Sequence, residues 1–154
     1  MQKEIQYSLL NRTDLKEVEL LQTANMEEIN NVWNVNEMSS FILKKESFSI
    51  VAKSKKTIIG FSFFLRIQDT LEVFLIFVEP NFRRKGIARK FFEDVINFCN
   101  KNLINQILLE VNVTNKNAIC FYEEINFKKV RIRENYYSVG QKKYDALVMR
   151  YVLN

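Results

Sequence analysis

The spacing of apolar side chains in the first half of the chain predicts a strand, two helices and then three strands. Residues 5–10 alternate as a strand, and apolar positions recur at helical spacing from Leu15 to Met26. A second helical stretch covers residues 36–45. Turns at Lys55-Lys56 and Asp69-Thr70 separate the three strands that follow, at residues 47–53, 57–68 and 71–78.

The second half of the chain predicts two further helices that alternate with strands. Gly86 opens an amphipathic helix that runs to Cys99, and a buried strand is expected at 105–113. A helix at 115–125 and two strands at 127–137 and 142–153, a hairpin around Gly140, complete the order. This order indicates an α/β (α+β) fold, with a mixed sheet of about seven strands and helices on both faces. Because no linker-like segment divides the sequence, we expect residues 1–154 to form one domain.

Composition excludes several classes of chemistry. The chain has no histidine, which removes Ser-His and Cys-His nucleophiles and the commonest zinc ligand. Acid–base chemistry must then come from Glu, Asp, Tyr, Lys or Cys, and we expect no metal site. With no run of about eighteen apolar residues and no signal-peptide core, a cytoplasmic location without membrane contact is expected. Cys99 and Cys120 lie in apolar helical patterns and are predicted to be reduced core residues.

The net charge of +5 is spread along the chain except for one basic cluster around Arg83. In this cluster a strand ends at Val78, a short turn follows and a helix begins at Gly86. The first turn of a helix leaves backbone N–H groups unpaired and is electropositive, so this geometry favours an anion. An exposed basic turn that binds nothing fits the same spacing. A local anion site is a better interpretation of one short cluster than a nucleic-acid partner.

The pattern Arg83-x-x-Gly86-x-Ala88, preceded by Ile76-x-Val78-x-Pro80, resembles the pyrophosphate-binding motif of the GNAT family of N-acetyltransferases. The resemblance implies the GNAT fold and acetyl-CoA as cofactor. It further implies that turn amides hold the pyrophosphate and that the strand before the turn pairs with the pantetheine arm. The cofactor-binding residues so implied are Ile76, Phe77, Val78, Arg83, Arg84, Lys85, Gly86, Ile87, Ala88 and Arg89.

Glu110 and Tyr122 are the candidate acid–base pair. Glu110 interrupts an apolar strand, where a carboxylate is costly unless it is paired, hydrated or used, although a solvent-facing position fits equally. Tyr122 fits ordinary helix packing. The stretch from Leu109 to Glu123 resembles one branch of the family, the bacterial enzymes that acetylate the N-terminal alanine of ribosomal protein S18. That resemblance implies Glu110 as general base, Tyr122 as general acid and Asn115 as a cofactor contact.

Two features near the end of the chain bear on the acceptor. After the helix the branch usually has Gly-Phe, whereas this chain has Asn126-Phe127, and asparagine tolerates the left-handed conformation that such a cap requires. The final hairpin resembles that of N-terminal acetyltransferases, which implies that Tyr136 and Tyr137 position a peptide N-terminus. Trp33, in an early helical segment, is expected to border the same groove. Exposed hairpin aromatics and plain core packing are the alternatives.

The expected function is therefore acetyl transfer from acetyl-CoA to a protein N-terminal α-amine, with ribosomal protein S18 as the partner on resemblance alone. An α-amine has a pKa of roughly 8 against roughly 10.4 for lysine, so a modest base suffices. A GNAT enzyme acting on a small-molecule amine is the first alternative, and a non-catalytic acyl-CoA-binding module is the second.

Overall fold

The structure, a computed structural model, describes residues 4–29 and 31–154. Within them the strands are β1 (Ile5–Leu9), β2 (Ser47–Ser54), β3 (Thr57–Ile67), β4 (Thr70–Val78), β5 (Gln106–Asn112), β6 (Lys128–Val139) and β7 (Lys142–Val152). The helices are α1 (Leu15–Ala24), α2 (Val35–Ile42), α3 (Ile87–Lys101) and α4 (Lys116–Glu124). The strands form one seven-stranded sheet in the order β1-β2-β3-β4-β5-β7-β6. Its neighbours are antiparallel except β4 and β5, which are parallel. This confirms the predicted mixed sheet.

Local sequence signals set several element boundaries. The Asn34 side chain accepts a hydrogen bond from the Glu37 backbone N–H at 3.0 Å, and the Glu37 carboxylate accepts one from the Asn34 N–H at 2.8 Å. This reciprocal capping begins α2 one residue later. Between β2 and β3, Lys55 and Lys56 both have positive φ, as a two-residue hairpin turn with the right twist requires.

Each face of the sheet carries its own apolar core. On one face, α1 and α2 pack Leu15, Val18, Met38 and Phe41 against β3. On the other, α3 and α4 pack against β5 and β7 in a cluster that contains Phe91, Phe92, Val95, Leu109, Val111, Tyr122 and Phe127. Leu109 and Val111 therefore face α3 and α4. Because side chains alternate along a strand, Glu110 between them faces the side of α1 and α2.

Two expectations about single residues were wrong. Trp33 lies outside the helices, in the connection before α2, because Asn34 and not an earlier residue caps that helix. Cys120 is exposed, whereas Cys99 is buried, and both are free thiols. Helical spacing placed Cys120 near apolar neighbours but did not show that its side of α4 faces solvent. In the described part of the chain, no helix has the length and apolarity needed to span a bilayer.

Candidate functional site

The turn between β4 and α3 presents unpaired backbone amides. The first hydrogen bond of α3 runs from the Lys90 N–H to the Gly86 carbonyl at 2.9 Å. The amides of residues 84–89 have no acceptor among the described residues. Arg84 and Gly86 have left-handed φ values of 61° and 81°. Gly86 faces open space, since an added Cβ would meet nothing within 4 Å. Together these features leave room for an anion at the start of α3.

The side chains around this turn divide into two groups. Arg84, Lys85 and Arg89 are exposed and add positive charge, whereas Ile87 is buried and offers only its backbone. Arg83 differs from expectation, because its Nε donates to the Val78 carbonyl at 2.9 Å and its Nη2 pairs with Glu28 at 2.5 Å. Its guanidinium therefore ties the turn to the segment after α1. Arg89 also lies 4.0 Å from Glu124. Unpaired amides beside three exposed cationic side chains are a donor set suited to a diphosphate such as that of coenzyme A.

Gly60 lets the start of α3 approach the sheet. A Cβ at this position would lie 3.1 Å from the Phe77 carbonyl oxygen and 3.5 Å from Ile87 Cγ2 and Phe91 Cζ. The sequence analysis did not single out this residue, although a glycine inside a predicted strand is a known sign of close approach. The absence of a side chain at Gly60 therefore lets Ile87 and Phe91 of α3 pack closely on β3.

Strands β4 and β5 separate after a short parallel contact. They pair only over Thr70–Glu72 and Gln106–Leu108, whereas β5 stays paired with β7 along its whole length. A bulge leaves Phe74 unpaired opposite β3, where Phe63 pairs with Leu75 and Phe64 with Val73. The gap opens beside residues 76–78, the segment expected to accompany the pantetheine arm, and leads toward the turn before α3. An extended chain that enters this gap meets free strand edges.

Glu110 lies beside the gap and is paired. Arg133 Nη1 donates a hydrogen bond to Glu110 Oε1, and hydrogen bonding to Glu110 raises the pKa of the Tyr136 phenol. The Glu110 side chain is 26% exposed, which leaves it accessible from the α1 and α2 side. Its surroundings are thus polar, although its strand is otherwise apolar. A carboxylate in this apolar strand was expected to be paired, hydrated, used or solvent-facing, and the structure shows that Glu110 is paired.

Tyr122 approaches from the opposite face. It lies on α4 at 8% exposure, with ring centroids 6.0 Å from Phe92 and 5.8 Å from Phe127. Burial raises the pKa of Tyr122 well above its usual value, so the phenol keeps its proton at neutral pH. Its hydroxyl has no hydrogen-bond partner among the described residues. The structure therefore places the Glu110 carboxylate and the protonated Tyr122 phenol on opposite faces of the sheet.

The remaining predicted residues fall into two places. Asn115 caps α4, and its side-chain oxygen accepts from the Ala118 N–H at 3.2 Å. Tyr136 and Tyr137 meet edge to face, with ring centroids 5.0 Å apart, and both lie close enough to Glu110 to interact with its charge. Burial raises the pKa of Tyr137 to about 12. The structure brings the two tyrosines to the carboxylate.

Trp33 instead packs in the core of the α1 and α2 face. Its ring centroid lies 5.2 Å from Phe41, 5.3 Å from Phe63 and 6.2 Å from the bulged Phe74. Gln22 clamps its backbone, donating to the Trp33 carbonyl at 3.1 Å and accepting from the Trp33 N–H at 2.9 Å. Trp33 is thus partly buried against this core, and Phe74 is its neighbour at the sheet surface.

Arg133 is the residue of the site that the sequence analysis missed. Its partner lies 23 positions away, and nothing in a one-dimensional pattern links the two. In the sequence Arg131 and Arg133 are simply two basic residues of the final hairpin. A basic side chain on β6 can face Glu110 on β5 only if both strands pair with the same strand between them. Alternation along a strand gives the face of each side chain but does not show that pairing.

Comparisons with known proteins agree with this geometry. The sequence profile described as "Acetyltransferase (GNAT) domain" matches residues 12–141. The ribosomal protein bS18-alanine N-acetyltransferase of Salmonella typhimurium is 35% identical over 83 residues, which cover 54% of this chain and 56% of that protein. An N-alpha-acetyltransferase of Saccharolobus solfataricus is 41% identical over 70 residues, covering 45% and 42%. These matches thus span about half of each protein.

The fold has close counterparts among solved structures. The crystal structure of the ribosomal-protein-S18-alanine N-acetyltransferase from Escherichia coli superposes with a TM-score of 0.85 and 24% identity, over 97% of this chain and 94% of that one. This likeness extends to the whole sheet and confirms the predicted fold. Together with the profile match over most of its length, it leads to one assignment: the chain belongs to the GNAT acetyltransferase family.

Proposed function

We propose that this protein transfers the acetyl group of acetyl-CoA to the N-terminal α-amine of a protein. Acetyl-CoA is the acetyl donor of the GNAT family, and the amide-lined turn before α3 fits its diphosphate. The observation that carries the proposal is the separation of β4 from β5 next to the amide-lined turn, with Glu110 on one face of the sheet and Tyr122 on the other. The cytoplasm, where acetyl-CoA and newly made proteins coexist, is the proposed location.

When bound, acetyl-CoA would supply a thioester carbonyl and a thiolate leaving group that must be protonated. Glu110, reached from the α1 and α2 side, takes the proton of the acceptor amine, directly or through water. The backbone N–H of Val78 is proposed to donate to the carbonyl oxygen as charge develops there. Tyr122 donates its proton on the thiol side, where its burial keeps that proton available. No covalent enzyme adduct is needed, so neither cysteine has a role.

The acceptor class is supported by the hairpin of β6 and β7. Tyr136 and Tyr137 stand next to Glu110, and Tyr136 is exposed at 44%, so an extended peptide can lie against them. The relatives whose names include N-alpha-acetyltransferase or bS18-alanine N-acetyltransferase support a protein N-terminus over a small amine. We propose ribosomal protein S18 as the first acceptor to test, with its alanine as the acetylated residue.

A peptide screen tests this function. The protein is incubated with acetyl-CoA and hexapeptides that differ in their first two residues, including an Ala-Arg start, and thiol release is followed. Glu110→Gln is measured in parallel, and free polyamines and amino acids serve as small-amine controls. We expect turnover on an α-amine peptide that falls by about 100-fold or more in the variant. Turnover on small amines alone would instead support the small-molecule alternative.

A further inference from the structure

Two residues of β6 lie next to the Glu110 carboxylate. Arg133 Nη1 donates to Glu110 Oε1, and the Glu110 carboxylate lies close enough to the Tyr136 phenol to raise its pKa. The Arg133 guanidinium carbon also lies 4.2 Å from the centroid of the Tyr136 ring, a stacked cation–π contact. Arg133, Tyr136 and Glu110 therefore form one connected unit, in which the arginine touches both of the others.

The backbone of β6 is shaped to deliver this arginine. Arg133 pairs with Ala146 and Tyr137 with Tyr144, so the three residues between them on β6 oppose only Asp145 on β7. Such a bulge re-aims the side chains next to it. Asn135 has a left-handed φ of 53°, and its N–H donates to Asp145 Oδ1 at 2.9 Å.

Asp145 ties the same bulge to the strand that carries the carboxylate. Its carbonyl accepts a hydrogen bond from the Val113 N–H at 3.1 Å, just beyond the end of β5. The bulge is thus fixed relative to β5 from both sides of Asp145. Because specific hydrogen bonds hold the bulge, they also fix the position of Arg133 relative to β5.

Among the charged and titratable groups near Glu110, Arg133 is the cation that pairs with it. Tyr136 and Tyr137 face it from β6. Glu72 on β4 is a second negative charge, which also raises the pKa of Tyr136. Arg133 is the cation bonded to the carboxylate, and the hydrogen bond to Glu110 raises the pKa of its guanidinium further. An arginine at this site keeps its charge at any working pH and holds a carboxylate oxygen in a fixed direction.

We propose that Arg133 is a positioning residue for Glu110. It holds the carboxylate in the one rotamer that points at the acceptor amine, and it stacks Tyr136 so that the phenol supports the same orientation. This inference rests on the proposed function, since it gives Glu110 the role of base. Arg133 itself contacts neither the amine nor the acetyl donor and acts through Glu110.

A double-mutant cycle on kcat tests the inference. The four proteins are the wild type, Arg133→Met, Glu110→Gln and the double variant, all assayed on the best peptide of the screen. Arg133→Met keeps the length and apolar stem of the side chain but has no charge or donor. Arg131→Met is the matched control, because Arg131 is exposed and lies on the same strand and face two residues earlier. Thermal unfolding is recorded for every variant.

We expect Arg133→Met to lower kcat by about 100-fold, as a misplaced catalytic group does, with peptide KM within about threefold of wild type. In the Glu110→Gln background the same substitution has less than about a twofold effect, because residues that act as a unit are not additive. Arg133→Lys, which keeps the charge without the planar fork, recovers about a tenth of the wild-type kcat. Arg131→Met stays within about twofold of wild type.

Other results overturn the inference. An equal loss in both backgrounds means that Arg133 does not act through Glu110. A raised peptide KM with kcat intact makes it a binding residue instead. If Arg133→Met does not fold, the Lys variant decides, because a purely structural arginine gives wild-type kcat once Lys restores the fold. Failure of the proposed function is separate from all of these, since the wild type then turns over no peptide.

Discussion

Substitution of Gly86 tests the anion site at the start of α3 by changing one backbone position. Gly86 has a φ of 81°, and an added Cβ meets nothing within 4 Å. Alanine therefore causes no clash within the protein but is forced into the left-handed region, which costs about 1–2 kcal/mol. For a domain of this size that corresponds to a fall in melting temperature of about 2–8 °C.

The same methyl group would project into open space beside the turn whose amides, those of residues 84–89, are free. If a diphosphate approaches those amides, Gly86→Ala displaces it from one or two charge-assisted hydrogen bonds worth about 1.5–3 kcal/mol each. The Kd for acetyl-CoA is then expected to rise by roughly 10- to 100-fold or more. Isothermal titration calorimetry measures the Kd, and differential scanning fluorimetry measures the melting temperature.

Two matched variants separate strain from steric exclusion. Gly140→Ala places a methyl group at another left-handed glycine, with a φ of 61° and nothing within 4 Å, in the distant β6–β7 turn. It is expected to lose stability in the same way and to bind acetyl-CoA normally. Gly86→Asn carries bulk into the site with little strain, because asparagine tolerates this conformation, as Asn126 does at 72°. It should melt close to wild type and still bind weakly. Wild-type affinity in Gly86→Asn would refute the close approach of an anion.

Four further predictions concern the proposed acid, the two thiols and the core. Tyr122→Phe should lower kcat by about 100-fold with KM and melting temperature unchanged, because its hydroxyl is a proton donor without a partner among the described residues, and an unchanged kcat contradicts this role. Burial raises the pKa of Cys99 from 9.0 to about 12, so the Cys99 contribution to the free energy of unfolding should be constant below about pH 9 and fall as the pH rises toward 12. Chemical denaturation should therefore show a shallower fall over this range in Cys99→Val. In the folded protein iodoacetamide should label Cys120 before Cys99, as mass spectrometry of the digest can show. Gln22→Met should cost about 1–3 kcal/mol by chemical denaturation, because it orphans the Trp33 amide and carbonyl.

The elements of this fold were largely predictable because its sequence signals are local. The turn at Lys55-Lys56 and the hairpin at Gly140 lie where the pattern breaks, and both have the positive φ such turns need. Asn126, in place of the usual glycine, has the left-handed cap that was predicted from its side chain. Each of these features depends on a few adjacent residues, which a sequence displays directly.

The features that were missed depend on tertiary contacts. Arg133 reaches Glu110 only because β7 lies between β5 and β6, and because a bulge turns the arginine back toward the carboxylate. Trp33 resembles a helical residue in sequence, but capping by Asn34 starts the helix after it. The exposure of Cys120 shows that apolar neighbours in a helical sequence do not reveal which side of the helix packs against the sheet. In each case the deciding partner is distant or is a side-chain hydrogen bond.

The most direct test of the proposed function is the position of the transferred acetyl group. A peptide that starts with Ala-Arg and contains an internal lysine is incubated with the protein and acetyl-CoA, and tandem mass spectrometry locates the modification. A second peptide of the same sequence with a blocked N-terminus is the control. We expect one acetyl group on the α-amine and none on the blocked peptide. Acetylation of the lysine side chain, in either peptide, would contradict it.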